Sequence, residues 1–176
     1  MSTLKLEKIT GQEGLGGAAS PITFSGDTAT LGSGVTFPAG MIIQVKSTQS
    51  STYLATGSSY VDAFTDLSLT TSGANKILIT GIMNGVVMFD SAGFIRFNLT
   101  DGTDIIQTLT TMYAAGSNSA DDPYGSFSFQ YMTGVLSAST TYTYNVQFKN
   151  NQGSNSARLS GDGNSLRTLT LMEIAE

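Results

Sequence analysis

The chain has 176 residues, eight Lys and Arg against thirteen Asp and Glu, a formal net charge of −5, and no His, Cys or Trp. Without imidazole or thiol it lacks the usual zinc, copper, haem and iron-sulfur ligands, Ser-His-Asp triads and Cys nucleophiles. No catalytic residue, metal or cofactor is therefore expected, and the protein reads as a non-enzyme.

One domain of this length can bury roughly 70% of the surface its unfolded chain exposes, enough for a core without disulfides or a structural metal. A pI near 4.5 leaves no basic stripe for neutralising phosphates, which argues against nucleic acid as a partner. Charged residues make up 12% of the chain, against about 25% in ordinary domains, and 22 Ser, 24 Thr and 20 Gly stand in their place. The apolar runs fall far below the roughly 20 residues of a membrane span, and the N-terminal segment has no apolar stretch of the signal-peptide kind. Neither a membrane partner nor a secretory leader is expected.

In chain order, a short amphipathic start leads into Gly11 to Ser20, where glycines and Pro21 make regular structure unlikely. This reads as an extended arm. Short strands around Ile22, Phe24, Leu31, Val35 and Phe37 follow between glycine turns. Residues 1–40 thus form an attachment segment, and residues 41–176 a globular domain.

That domain opens with MIIQVKSTQ and YVDAFTDLSLT, whose Val61, Ala63, Thr65, Leu67 and Leu69 share one face of a strand. KILITGIMNGVVMF is apolar on both faces, and its Asn84-Gly85 dipeptide predicts a tight hairpin turn, although the segment also accommodates one unbroken long strand. FIRFNLTD then turns at Asp101-Gly102 into DIIQTLTTMY, with Ile105, Gln107 and Leu109 alternating against Ile106 and Thr108. In SFSFQYM and TYTYNVQF the alternation is strict: Phe127, Phe129 and Tyr131, then Tyr142, Tyr144, Val146 and Phe148, fall on one face. SARLS and SLRTLTLMEI close the chain around a Gly161 to Asn164 turn. With no helical period in sight, about eight to ten strands joined by Gly and Ser turns predict an all-β antiparallel jelly-roll sandwich with an extended N-terminal arm.

Few residues suggest chemistry. The Gly11 to Gly17 spacing lacks the strand, helix and Lys of a phosphate loop. The pairs Asp62 with Asp66, Asp101 with Asp104 and Asp121 with Asp122 read as solvated turn formers rather than as a glycosidase pair. Asp101 to Asp104 and Asp162 to Asn164 are the better candidates for calcium, though Asp-Gly alone also favours a turn. Asn98-Leu99-Thr100 has the form of a glycosylation site inside a predicted strand. Tyr60, Tyr113, Tyr124 and Tyr131 could stack on sugars, but strand aromatics more often form core or interface.

The opening MSTLKLEKI, the segment GSGVTFPAGMIIQV from Gly32 to Val45 and the ending TLTLMEIAE resemble virion structural proteins of bacteriophages, marine ones in particular. In that group a short N-terminal anchor precedes a jelly roll similar to the C1q and tumour necrosis factor fold, typically a homotrimer. The resemblance implies self-association as a homotrimer and a location on the virion, at the capsid outer surface or the tail. A low-charge chain with Tyr and Phe on its strands suits such an interface, with Phe127, Phe129, Tyr131, Tyr142 and Tyr144 as its expected residues. The forty residues ahead of the domain allow an arm of up to roughly 130 Å but no shaft, which favours a capsid decoration (cement) protein over a tail fibre or short appendage contacting a host receptor. Leu4, Leu6 and Ile9 are the expected apolar anchors on the major capsid protein or a tail component.

Overall fold

The computed structural model describes residues 22–25, 28–31, 37–88, 94–113, 125–150, 157–159 and 165–176. Its contacts divide the chain into two compact units, Met1–Pro38 and Ala39–Glu176. In the first unit β1 (Ile22–Ser25) and β2 (Thr28–Leu31) pair as an antiparallel hairpin. Residues 1–20, with the expected arm and its anchors, lie outside the described residues.

The second unit carries β3 (Ile42–Ser50), β4 (Leu54–Thr56), β5 (Val61–Asp62), β6 (Leu67–Thr70), β7 (Lys76–Met88), β8 (Phe94–Thr100), β9 (Ile105–Tyr113), β10 (Gly125–Met132), β11 (Thr141–Asn150), β12 (Ala157–Leu159) and β13 (Arg167–Ile174). Among the described residues there is no helix. One sheet runs β3, β13, β7, β12, β4, with β10 on the other side of β7; the second runs β5, β11, β8, β9, with β6 also on β11. Every pairing is antiparallel. With β5 and β6 counted as one interrupted strand, the principal strands follow jelly-roll order: chain neighbours cross from sheet to sheet except at the β8–β9 hairpin, and the first and last lie side by side. The expected SARLS strand is β12; the strand number rises above the sequence expectation through β4, too short for alternation to reveal, and through the division of YVDAFTDLSLT into β5 and β6.

The core lies between the sheets. Ile77, Ile79, Met83, Leu169 and Leu171 of the first sheet face Phe97, Leu99, Val146 and Phe148 of the second, all without measurable exposure. Phe97 joins the layers, its ring 4.7 Å from that of Phe127 across the sandwich and 5.8 Å from that of its strand neighbour Phe148. Hydroxyl pairs take the place that ion pairs usually occupy on outer faces: Ser68 with Thr143 at 2.8 Å, Thr70 with Thr141 at 2.7 Å and Ser47 with Thr170 at 2.9 Å.

Three local patterns depart from the sequence reading. The Asn84-Gly85 dipeptide makes no hairpin turn; β7 runs on unbroken, and Gly85 takes φ +66° in a β-bulge. Val86 and Met83 oppose Gly125 and Phe127, so β7 carries the extra residue. Positive φ is what such a bulge requires, so the same residue preference served a kink instead of a turn. On β9, register shifts pass over Leu109 and Ile106, which lets Ile106, Leu109 and Met112 all reach the core, whereas Ile105 stays 50% exposed. The face expected from Val61 to Leu69 breaks at residues 63–66, where Ala63 and Phe64 are both buried. There Arg167 Nε donates to the Ala63 carbonyl at 2.6 Å and Asn145 Nδ2 to the Phe64 carbonyl at 2.9 Å.

Gly81 shows how closely neighbouring strands of the first sheet pack, since a Cβ there would lie 2.4 Å from Phe129 Cε1 and 3.0 Å from the Thr168 carbonyl. Gly81→Ala is expected to cost about 1–3 kcal/mol through forced displacement of that ring. Gly134→Ala, with no atom within 4 Å of its added Cβ, should leave the unfolding midpoint nearly unchanged. Urea titration of the two variants checks the contrast, and equal midpoints would contradict the close approach.

Candidate assembly face

The four strands β3, β13, β7 and β10 present a broad outer face whose composition follows from period two. β13 turns Arg167, Leu169, Leu171 and Glu173 inward and leaves Thr168, Thr170, Met172 and Ile174 outward. The register extends these into rows: Gln49, Thr168, Ile82 and Ser128, then Ser47, Thr170, Thr80 and Gln130, then Val45, Met172, Leu78 and Met132. Ile42, Ile174 and Lys76 complete the face at one end. Among the described residues of these rows Lys76 is the one charged side chain, and its ammonium pairs with Glu176 at 2.5 Å.

The apolar members are widely open to solvent: Ile42 is 52% exposed, Val45 55%, Ile82 46% and Met132 45%. Beside the apolar row, Thr80, Ile82, Ser128, Gln130, Thr168 and Thr170 line a shallow depression of about 520 Å³. A continuous apolar band rimmed by hydroxyls and amides is the composition of an interaction surface. Because the face carries no unpaired ion, a partner can cover it without the desolvation penalty of buried charge. Four strands about 4.8 Å apart and seven or eight residues long span roughly 500 Å² in plan, the order of the ~800 Å² per partner in a standard interface.

The aromatic residues expected at a subunit interface are not on this face. Phe127, Phe129 and Tyr131 are on β10 and Tyr142 and Tyr144 on β11, in different sheets, and within one chain all five pack on the inter-sheet core. Burial, reinforced by the nearby Tyr142, Tyr131 and Asp101, pushes the Tyr144 phenol up to about 12. Tyr60 lies beneath the Lys149 ammonium, 4.4 Å from its ring centroid. Leu4, Leu6, Ile9, Tyr124, Asp121, Asp122 and the Asp162 to Asn164 turn fall outside the described residues, as does the side chain of Tyr113.

The Asp101 carboxylate folds back on its own turn, accepting the Thr103 and Asp104 N–H groups at 3.1 and 2.8 Å. These bonds hold its carboxyl below the ordinary value. Asp62 accepts from Gln147, and Asp66 from Asn145. Asn98 is 1% exposed within β8, so its amide is not presented to solvent as a glycosylated asparagine would be.

Sequence reasoning passed over two buried ions of β13. Glu173 has no measurable exposure, and its Oε1 accepts from Ser72 N at 2.7 Å, Ser72 Oγ at 2.9 Å and Asn75 Nδ2 at 2.7 Å, while Oε2 accepts from Gln44 Nε2 at 2.5 Å. Burial pushes its carboxyl up, but the four hydrogen bonds outweigh burial and hold it below the ordinary range. Arg167, 1% exposed, donates Nη1 to the Thr52 carbonyl at 2.9 Å and Nη2 to Ser50 Oγ at 3.0 Å besides its bond to Ala63. Burial lowers its pKa. The available signal was phase: both charges fall on the leucine face of RTLTLME.

A scan against protein-family models finds no match, and a search of the curated proteins finds none either. Among solved structures the chain is similar to that of infectious bursal disease virus, Gx strain, at 10% identity and a TM-score of 0.41, over 90% of this chain and 42% of that one. It is similar also to the T13 particle of the same virus, at 10% identity and a TM-score of 0.37, over 92% and 41% of the two chains. The VP2 subviral particle of that virus gives 11% identity and a TM-score of 0.33, over 90% and 43%. The chain spans less than half the length of the solved chains it matches.

Glu173 sets a pH dependence with a definite sign. Its folded pKa lies below the ordinary value of 4.5, so its stabilisation is complete above that value and is lost as pH falls through the folded one. Glu173→Gln is expected to cost about 2–4 kcal/mol at neutral pH, since an amide cannot accept all four donors. The variant should also lose part of the acid limb of the melting curve, with Asp101 retaining its share. Calorimetry from pH 7 to 3 checks both, and parallel acid limbs would contradict the assignment.

Proposed function

We propose that this chain is a non-enzymatic virion structural protein of the bacteriophage type, a homotrimer that decorates the capsid outer surface and cements neighbouring subunits of the major capsid protein. The observation that carries the reading is the apolar-banded outer face of β3, β13, β7 and β10, whose one charged row member, Lys76, is paired with Glu176, on a chain of net charge −5. Copies that repel through their net charge need a surface free of like charges on which to meet, and this face supplies one. A non-enzymatic role agrees with the use made of the perturbed groups: Glu173, Asp101 and Arg167 are each committed to bonds that hold loops.

Cementing works by mass action, because a protein that binds the assembled shell and not its free subunits stabilises the shell by its binding free energy. The N-terminal segment, with Leu4, Leu6 and Ile9 as anchors, supplies the capsid contact in this reading. A tail fibre or short appendage contacting a host receptor is the second reading, favoured by the cation pair of Arg96 and Lys149 on the opposite sheet.

Light scattering at micromolar concentration is expected to give a mass near three times the 18.4 kDa of one chain. Val45→Asp combined with Met132→Asp should return the protein to a monomer that keeps its β-type circular-dichroism spectrum, since both side chains are about half exposed within one chain. A monomer before substitution, or a trimer that survives it, would overturn this face as the contact. Deleting residues 1–20 should preserve the trimer and abolish incorporation into virions, read as copy number against the major capsid protein; unchanged incorporation would exclude the anchoring role.

A further inference from the structure

The outer face of the second sheet has a different chemistry. β8 sends Arg96 and Asn98 outward; Arg96 lies opposite Lys149 of β11 and Thr111 of β9, and Asn98 lies opposite Gln147 and Thr108. Directly opposed residues hold their Cβ atoms about 4.5–5.5 Å apart, and like charges so placed destabilise the pair. Among the described residues neither cation is in an ion pair. Each rests instead on a ring, Arg96 Cζ 5.3 Å from the centroid of Phe94 and Lys149 Nζ 4.4 Å from that of Tyr60. The carboxylate of the neighbouring row, Asp62, already accepts from Gln147 Nε2 at 2.9 Å.

Beneath this pair lie buried polar atoms that, among the described residues, have no hydrogen-bond partner. Asn98 is 1% exposed, and its Oδ1 and Nδ2 both lack a hydrogen-bond partner, as does the buried Arg96 Nε. Groups left in this state cost about 1–3 kcal/mol each, and folded proteins pair the great majority of them. A strand position that needed only packing would carry an apolar residue or threonine, as much of this chain does.

The unsatisfied set has a definite chemical complement: Arg96 Nε and Asn98 Nδ2 donate, and Asn98 Oδ1 accepts. A carboxylate answers the two donors and the positive charge, and a hydroxyl on the same small ligand answers the acceptor. We propose that Arg96, Lys149 and Asn98 form a binding site for the carboxylated sugar units of an acidic polysaccharide. The carboxylate sits against Arg96 and Lys149, and a ring hydroxyl donates to Asn98 Oδ1, which is 1% exposed in the free protein and is reached only when its surroundings open for the ligand. The site lies on the sheet opposite the assembly face and does not depend on it.

Calorimetric titration of the full chain with trigalacturonate, at low and high salt, tests the site. Binding that weakens with salt, and falls about tenfold or more in Arg96→Gln and Lys149→Gln, is the expected result. Asn98→Leu should abolish binding and raise the melting temperature, because it removes the stranded amide; a residue with only a structural role would give a lower melting temperature instead. Absence of trigalacturonate binding would overturn the proposal. So would equal binding of a neutral trigalactoside, of a triglutamate peptide or of inorganic phosphate, since each removes the need for a sugar acid. The light-scattering mass of the same samples reads the trimer separately, so loss of one property leaves the other measured.

Discussion

β13 lies between β3 and β7 and sends Arg167, Leu169, Leu171 and Glu173 inward, so one strand buries a cation and an anion about 20 Å apart, too far to neutralise each other. Taking either ion out of water costs several kcal/mol unless its hydrogen-bonding capacity is met in place. Each is met by loops at its own end of the sandwich: Glu173 by the Ser72 to Asn75 segment and Gln44, Arg167 by the carbonyls of Thr52 and Ala63 and the Ser50 hydroxyl. Shifting β13 by one residue would turn both leucines to solvent and strand both ions. The register of the central strand, and through it of the first sheet, is thereby fixed at two points, and the break between β5 and β6 follows from the demands of Arg167 and Asn145 on residues 63–66.

With its charges so sparingly used, the molecule separates two kinds of surface. The first sheet offers neutral side chains around an apolar row, suited to contact by shape and area. The second gathers Arg96 and Lys149 over an unsatisfied amide, suited to a small charged group held by direction and sign. Ser and Thr ladders fill the remaining outer positions, where they satisfy one another across strands and add no long-range field.

Much of the fold was legible because period-two alternation reports which face is buried. SFSFQYM and TYTYNVQF became β10 and β11 with Phe127, Phe129, Tyr131, Tyr142 and Tyr144 turned inward, so one-sided aromatic alternation read correctly as strand. Alternation alone does not place a residue on one sheet or the other; the neutral rows of the first sheet emerge only when the register places Val45, Met172, Leu78 and Met132 side by side. Asn84-Gly85 was legible as a residue pair that accepts positive φ but not as a bulge, which the partner strand selects. Glu173 and Arg167 were missed, and the burial of Asn98 with them, for a related reason: each becomes notable through what surrounds it, and a lone charge or amide in a strand carries no local mark of burial.

The position of β13 also governs the order in which the sheet can form. Ile42 pairs with Ile174, and Gly40 N donates to the Ala175 carbonyl at 2.8 Å, so the first and last strands of the body close on each other across nearly its whole length. Until β13 arrives, β3 and β7 have a gap between them, with unpaired backbone edges on both sides and Leu169 and Leu171 missing from the core. Contacts of such sequence separation form slowly because the loop entropy is lost before the contacts repay it. A ribosome-bound chain short of residue 174 therefore holds an open, hydroxyl-rich sheet of low charge whose gap only β13 fills, and crowded synthesis is the stage at which this protein is most exposed to pairing with the wrong strand.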